Sequence, residues 1–170
     1  MTERSDVPHD RAAPRSDRSE PVSRAASNVV AGLLFGLGAV AFVDETVFHQ
    51  LLHWHHFYDR STSEVGLVSD GLFHAFSWFA TVAALFLVGR LRRERAFHGR
   101  RFAGGLLTGG GLFQLYDGLV QHKLMGLHQI RYGVDLVPYD LAWNIGAAVV
   151  LAAGLGLLAT TRGGERSDVR

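Results

Sequence analysis

Four long apolar segments limit what this chain of 170 residues can fold into. They cover about residues 29–54, 66–89, 102–127 and 137–160, and polar residues separate them. Each has at least the ~20 residues with which a helix crosses roughly 30 Å of hydrocarbon. Four buried helices of a soluble protein are the alternative, but such helices are usually shorter. The sequence therefore predicts an all-α, polytopic membrane protein with four transmembrane helices.

The polar segments predict the tails and the orientation. Residues 1–27 are rich in Arg, Ser, Asp and Pro, so we expect a disordered tail there, a second tail at 161–170 and a membrane domain at 28–160. Basic residues crowd the connection between the second and third segments, whereas the other two connections hold only Arg60 and Arg131. The positive-inside rule then places both termini and the basic connection in the cytoplasm of a cell whose inner or plasma membrane holds the chain. The positive-inside rule already explains the basic residues of this connection, so we do not assign them to nucleic-acid binding. The predicted partner is the lipid bilayer, and no nucleic acid is predicted.

Two stretches of the sequence match at a constant offset of 73 residues. The first copy holds Gly32, Asp44, His49 and His55, and the second holds Gly105, Asp117, His122 and His128. The segments that follow match at an offset of 70, where Asp70 and His74 correspond to Asp140 and Asn144. Each copy begins and ends on the cytoplasmic side. We therefore predict two parallel-repeat helical hairpins that form a four-helix bundle, with a pseudo-two-fold axis along the membrane normal.

The polar residues of the four segments fall at matching depths. One layer lies roughly 9 to 10 Å below the predicted outer boundary, at a rise of about 1.5 Å per residue. It contains His49, His74, His122 and Asn144, with His53, Asp70 and Asp140 above it and Asp44 and Asp117 below it. Ionisable groups are costly inside a bilayer, so this pattern indicates a functional site.

The residue types in these layers favour metal binding. We predict His49, His74, His122, Asp70, Asp140 and His53 as metal ligands. Asp44 and Asp117 are predicted as a proton relay or second site, and His55, His56, His128 and Asn144 as the outer rim. The chain has no cysteine, so imidazole and carboxylate ligands point to a divalent transition metal, namely Zn, Cu, Fe or Mn.

Other functions fit the same residues. Facing histidines of a four-helix bundle can ligate haem b. The run from His49 to His56 is similar to the histidine boxes of membrane di-iron oxidoreductases. The paired Asp44 and Asp117 would serve a proton or ion carrier, which at four spans would need a homo-oligomer. The sequence does not decide whether the protein is an enzyme.

The spacing within the first segment conflicts with a regular helix. On an ideal α-helix, Asp44 and His49 point about 140° apart, whereas Asp44 and His55 share a face. The sequence leaves three explanations open: a broad inward face, a kinked or irregular helix, or a side chain directed at a neighbouring helix.

Three motifs resemble an uncharacterised bacterial family of predicted four-span membrane proteins. They are Asp44 through His49-Gln50 to Trp54-His55-His56, then Asp70-Gly71-Leu72-Phe73-His74-Ala75-Phe76, and Gly126-Leu127-His128. The likeness covers about residues 29–158. It implies the fold and the membrane location but no established activity. It also implies respiratory-chain assembly factors as candidate partners, and hence metal handling or respiratory metalloenzyme assembly as the function.

The chain departs from this family pattern at four positions. His53 stands where glutamine is usual, and Gln121, Lys123 and Gln129 stand where acidic residues or histidine are common. The first departure makes His53 a weaker candidate for a metal ligand. The other three make the outer part of the third segment a poorer candidate for a metal site.

Within the repeat, His74 corresponds to Asn144 and His53 to Gly126, so the first hairpin holds more ligand groups. We therefore expect a lopsided site that the first hairpin dominates.

Overall fold

The computed structural model describes residues 20–167 of the chain, with side chains over residues 24–161. It contains four α-helices, which are α1 (Glu20–Asp44), α2 (Ser63–Arg93), α3 (Gly99–Leu115) and α4 (Val137–Ser167). Two π-helical segments continue α1 and α3, namely π1 (Glu45–Leu51) and π2 (Tyr116–Met125). No strand occurs in the described part, so the all-α prediction is confirmed.

By length and composition, three helical segments of the described residues could cross a membrane: Arg24–Leu51, Ser63–Arg93 and Val137–Thr161. The third predicted segment folds differently, as the 17-residue α3 followed by π2. Because α3 is rich in glycine and has Arg100 and Arg101 in its first turn, its mean hydropathy is lower than that of the other helices.

The helices extend into both predicted tails. Helix α1 begins at Glu20 and α4 ends at Ser167, so residues 20–27 and 161–167 are helical. Pro21 stands in the first turn of α1, where a residue without an N–H group breaks no helical hydrogen bond. The remainder of the predicted tails, residues 1–19 and 168–170, lies outside the described residues.

Helices α1 and α3 pack with their backbones in contact. A Cβ atom on Gly32, Gly36, Gly105 or Gly109 would collide with a carbonyl oxygen of the partner helix. Those oxygens belong to Phe102, Leu106, Val29 and Leu33, respectively. Every contact in this set has a counterpart 73 residues along the chain, the offset of the sequence repeat. Small residues at the crossing allow this approach, as is usual between membrane helices.

The other two helices lie on opposite sides of this central pair. Helix α2 packs on α1 and α4 packs on α3, and within the described part α2 and α4 do not touch. The helices therefore form a row, α2–α1–α3–α4, which is more open than the predicted four-helix bundle. On one side of the row, a cavity of about 610 Å³ lies between α2 and α3. The rings of Phe48 in π1 and Trp143 in α4 meet edge to face, with centroids 5.6 Å apart.

Candidate metal centre

The polar residues of the two repeats gather where α1 and α3 continue into π1 and π2. In a π-helix the hydrogen bonds join residues five apart, whereas the 3.6 residues per turn of an α-helix place such residues about 140° apart. The wider turn brings Asp44 and Asp117 towards the histidines five residues later. Asp44 Oδ2 lies 3.7 Å from His49 Nε2, and Asp117 Oδ2 lies 3.1 Å from His122 Nε2. The irregularity that the sequence left open is thus a π-helical turn, present in both copies.

A first group of ligand atoms comes from π2 and the two connections that follow π1 and π2. It consists of His55, His122 and His128, whose nitrogens lie within 4.8 Å of one another. Asp117 completes the group, because its Oδ1 lies 3.5 Å from His128 Nε2 and its Oδ2 lies 3.1 Å from His122 Nε2. All four side chains are at most 6% exposed. The rings of His55 and His128 stack with centroids 4.5 Å apart.

Backbone carbonyls orient two of these imidazoles. His55 Nδ1–H donates to the carbonyl of Ile130 over 2.9 Å, and His128 Nδ1–H donates to that of Phe57 over 2.8 Å. Each acceptor lies two residues after the histidine of the other copy, so the two hydrogen bonds mirror each other. Since a carbonyl can only accept, each neutral ring keeps its lone pair on Nε2.

The environment of His55 keeps this ring neutral. Burial, followed in size by the neighbouring imidazoles of His128, His49 and His122, lowers the pKa of His55 to about 2. A neutral imidazole is the form that binds a metal ion. His55 is therefore held both in the protonation state and in the tautomer that ligation requires.

A second group of ligand atoms lies beside the first and consists of Glu45, His49 and Asp70. His49 Nδ1 lies 3.0 Å from Glu45 Oε2 and 3.1 Å from Asp70 Oδ1. Asp70 Oδ1 also accepts the backbone N–H of Phe57 over 2.7 Å, and its Oδ2 accepts His56 Nδ1–H over 2.6 Å. Asp70 thus ties the start of α2 to the segment that follows π1.

The two groups and the adjoining Asp44 bury four carboxyl side chains. Asp44, Glu45, Asp70 and Asp117 are each at most 4% exposed. The ion pairs found for them within the described residues are all to histidines and none to Lys or Arg. A buried carboxylate without a compensating positive charge is unstable. Protonated histidines, bound cations or protons on the carboxyl groups themselves can balance this charge.

Five of the predicted metal and relay residues come together here, namely Asp44, His49, Asp70, Asp117 and His122. His55 and His128, which we expected at the rim, are buried at its centre because the connections fold inward after π1 and π2. His56, also expected at the rim, lies at its edge with a quarter of its side chain exposed. The sequence analysis missed Glu45, although a second carboxylate beside Asp44 in an apolar segment could have signalled it.

The structure places His74 and His53 outside both groups. The buried face of α2 contains Asp70, Phe73 and Ser77, and His74 is rotated out of it by about 80°. His74 is exposed, with its ring centroid 5.3 Å from that of Phe42. His53 is exposed where π1 has ended and has a left-handed backbone with φ 50°.

The predicted polar residues of α4 have other partners. Lys123 Nζ–H donates to Asp140 Oδ2 and forms an ion pair with it. The Asp140 carboxylate therefore faces π2, where the Lys123 ammonium group balances its charge. The Asn144 amide donates to the backbone carbonyl of Asp140 over 2.9 Å. A Cβ on Gly118 would lie 2.6 Å from Asn144 Oδ1, so Gly118 leaves room for this side chain. Asp140 and Asn144 therefore pack against π2 and are not part of either ligand group.

The long apolar helices and the all-helical fold define this chain as a helical membrane protein. It belongs to the family described as predicted membrane protein (DUF2243), whose model matches residues 31–161. This match confirms the resemblance that the sequence motifs indicated. Comparisons with curated proteins and with solved structures found no match. The family has no assigned activity, so a function has to be argued from the two groups of ligand atoms.

Proposed function

We propose that this protein binds a divalent transition-metal ion through His55, His122, His128 and Asp117. One observation carries the proposal: the buried nitrogens His122 Nε2 and His128 Nε2 lie next to Asp117 oxygens, yet neither makes a hydrogen bond. His128 cannot donate from Nε2 in its neutral form, because its proton is on Nδ1. A metal ion between these atoms would bind the Nε2 lone pairs of both histidines and the Asp117 carboxylate, and so satisfy them.

The separations between ligand atoms fit such an ion. Zn²⁺ binds imidazole nitrogen and carboxylate oxygen at about 2.0 to 2.2 Å with tetrahedral geometry, so neighbouring ligand atoms are about 3.3 Å apart. The two nitrogen–oxygen separations at Asp117, 3.1 and 3.5 Å, lie on either side of this value. The carbonyls of Ile130 and Phe57 play the part of the outer acceptors that usually orient metal-binding histidines.

The ligand number favours metal handling over catalysis. Three imidazoles and a carboxylate fill the four positions of a tetrahedral Zn²⁺ ion, whereas catalytic zinc sites usually keep one position for water or substrate. Cu²⁺, Fe²⁺ and Mn²⁺ accept the same ligand types and would compete for the site.

Haem has less support, because the His55 and His128 rings stack directly on each other and leave no slot for a porphyrin between them. A carrier with paired Asp residues also has less support, because Asp44 and Asp117 each lie beside a histidine.

The proposal includes a four-span topology in the inner or plasma membrane, with the centre near the outer face. The symmetric glycine contacts between α1 and α3 support two parallel repeats, and the basic connection at 90–101 supports cytoplasmic termini. The chain lacks cysteine, so single variants Ser61→Cys, Tyr132→Cys and Arg100→Cys report one site each. An impermeant maleimide added to intact cells should label the first two and not the third. Labelling of Tyr132→Cys and Arg100→Cys from the same side would rule out four spans.

Metal analysis of the purified, full-length protein tests the binding site. We expect one tightly bound Zn²⁺ per chain in the wild type after reconstitution. His122→Gln should lower the Zn²⁺ affinity by more than the roughly 10- to 100-fold that changes around a metal site cost. The matched control is His74→Gln, which removes an exposed imidazole outside both groups and should bind as the wild type does. A wild type without stoichiometric metal, or equal loss in both variants, would contradict the proposal.

A further inference from the structure

We propose that Glu45, His49 and Asp70 hold a second divalent cation, of the oxygen-preferring kind such as Mn²⁺, beside the first metal site. The inference adds an ion to the proposed function and uses none of the four ligands assigned above. Glu45 and Asp70 are 1% exposed and His49 is 2% exposed. Their ligand atoms lie within 4.8 Å of one another.

Hydrogen bonding among these three residues is incomplete. His49 Nδ1 can carry one proton, yet it faces both Glu45 Oε2 at 3.0 Å and Asp70 Oδ1 at 3.1 Å. Glu45 Oε2 and His49 Nε2 have no hydrogen-bond partner although both atoms are buried. A buried carboxylate oxygen without a donor is costly, and a cation among these atoms would satisfy it.

The spacing and the atom types suit a hard cation. An ion that binds six ligands at about 2.1 Å places neighbouring ligand atoms about 3.0 Å apart, as the Glu45–His49 and Asp70–His49 separations are. Two carboxylates with a single imidazole favour Mn²⁺ over the softer ions that nitrogen-rich sites select. The Gln50 amide donates to the other oxygen of Glu45 over 2.8 Å, and His56 donates to the other oxygen of Asp70, so both carboxylates are oriented from outside.

The second site belongs to the first repeat only. Glu45 corresponds to Gly118 in the second copy, which has no side chain to offer. Asp70 corresponds to Asp140, whose carboxylate is paired with Lys123. Of the three ligands of the second site, only His49 therefore has a counterpart in the second copy that could bind a cation, namely His122 of the first site. His49 and His55 have ring centroids 4.5 Å apart, so the two ions would occupy one continuous polar region.

Electron paramagnetic resonance with Mn²⁺ tests this inference, because the signal of the free ion falls when the ion binds. The full-length protein is first loaded with one equivalent of Zn²⁺ and then titrated with Mn²⁺. We expect one Mn²⁺ per chain in the wild type and an affinity at least about tenfold lower in Asp70→Asn. Asp140→Asn, the counterpart in the second repeat, should bind Mn²⁺ as the wild type does.

The outcomes separate this inference from the proposed function. If Zn²⁺ binds and Mn²⁺ stays free, His49 is held by its carboxylates as a protonated imidazole, and the second site is refuted while the first stands. If neither ion binds, both proposals fail. Asp70→Asn must retain Zn²⁺ to count as folded, and Glu45→Gln, which leaves the Asp70 hydrogen bonds intact, is the second variant. Unchanged Mn²⁺ binding in Glu45→Gln would also overturn the inference.

Discussion

The glycine contact between α1 and α3 should be intolerant of even one methyl group. A Cβ on Gly36 would collide with the carbonyl oxygen of Leu106 and lie 2.7 Å from its carbonyl carbon and 2.9 Å from the nitrogen of Gly110. These neighbours are backbone atoms of a helix, so none of them can rotate away. Gly36→Ala can be accommodated only if α1 and α3 move apart.

The cost of that movement can be estimated from the contacts. Overpacking a tight interface by a methyl group costs about 1 to 3 kcal/mol, and a backbone obstacle places Gly36→Ala at the upper end. A chain of this size loses roughly 2 to 4 °C in Tm per kcal/mol, so a decrease of about 4 to 12 °C is expected. Since α1 leads into π1 and α3 into π2, the same separation should also weaken binding of Zn²⁺.

Thermal unfolding of the detergent-solubilised protein, followed by circular dichroism, measures this effect. Gly109→Ala should behave like Gly36→Ala, because its Cβ would collide with the carbonyl oxygen of Leu33. Gly71→Ala is the matched control, since nothing lies within 4 Å of its Cβ position. Alanine is the better helix former by about 0.5 to 1 kcal/mol, so this control should be neutral or slightly stabilising. Equal Tm values for all three variants would refute the close α1–α3 contact.

Two further contacts allow similar tests. Asn28 is fully buried, and its Oδ1 accepts the backbone N–H of His98 over 2.7 Å. Asn28→Ala should therefore lower the free energy of unfolding by about 1 to 3 kcal/mol in the same assay. An unchanged Tm would contradict this contact. The Arg131 guanidinium lies 4.8 Å from the Trp54 ring and donates to the Tyr139 hydroxyl over 2.7 Å. Arg131→Gln should therefore cost about 1 to 2 kcal/mol and shift the tryptophan emission, and an unchanged spectrum would argue against the stacking.

Much of the fold could be predicted because membrane helices leave a strong signal in sequence. The apolar segments identified all four helices, and the predicted segment at 66–89 lies within α2, which covers Ser63–Arg93. The ends of the helices were predicted less well, because hydropathy does not show how far a helix continues into polar residues. Helix α1, for example, begins eight residues before the predicted membrane domain. The row of helices was not predicted. It depends on how closely α1 and α3 approach, which hydropathy alone does not determine.

The candidate site was harder to predict because its geometry depends on π1 and π2. Regular α-helical rotation separates Asp44 from His49, and no simple sequence signal marks where a helix widens into a π-turn. The repeat did contain a usable signal, since His55 and His128 both lie eleven residues after an aspartate. His74 was predicted as a ligand only from its depth below the outer membrane boundary. That depth does not show which face of α2 the residue occupies.

Zinc K-edge X-ray absorption of the protein loaded with one equivalent of Zn²⁺ tests the proposed metal site most directly. Three imidazoles and one carboxylate should give four nitrogen or oxygen neighbours at about 2.0 to 2.1 Å, with the multiple scattering of about three histidine rings. In Asp117→Asn the histidine scattering should persist while Zn²⁺ binds more weakly, and His74→Gln should leave the spectrum unchanged. A spectrum without histidine scattering, or one that His74→Gln alters, would contradict a zinc site at His55, His122, His128 and Asp117.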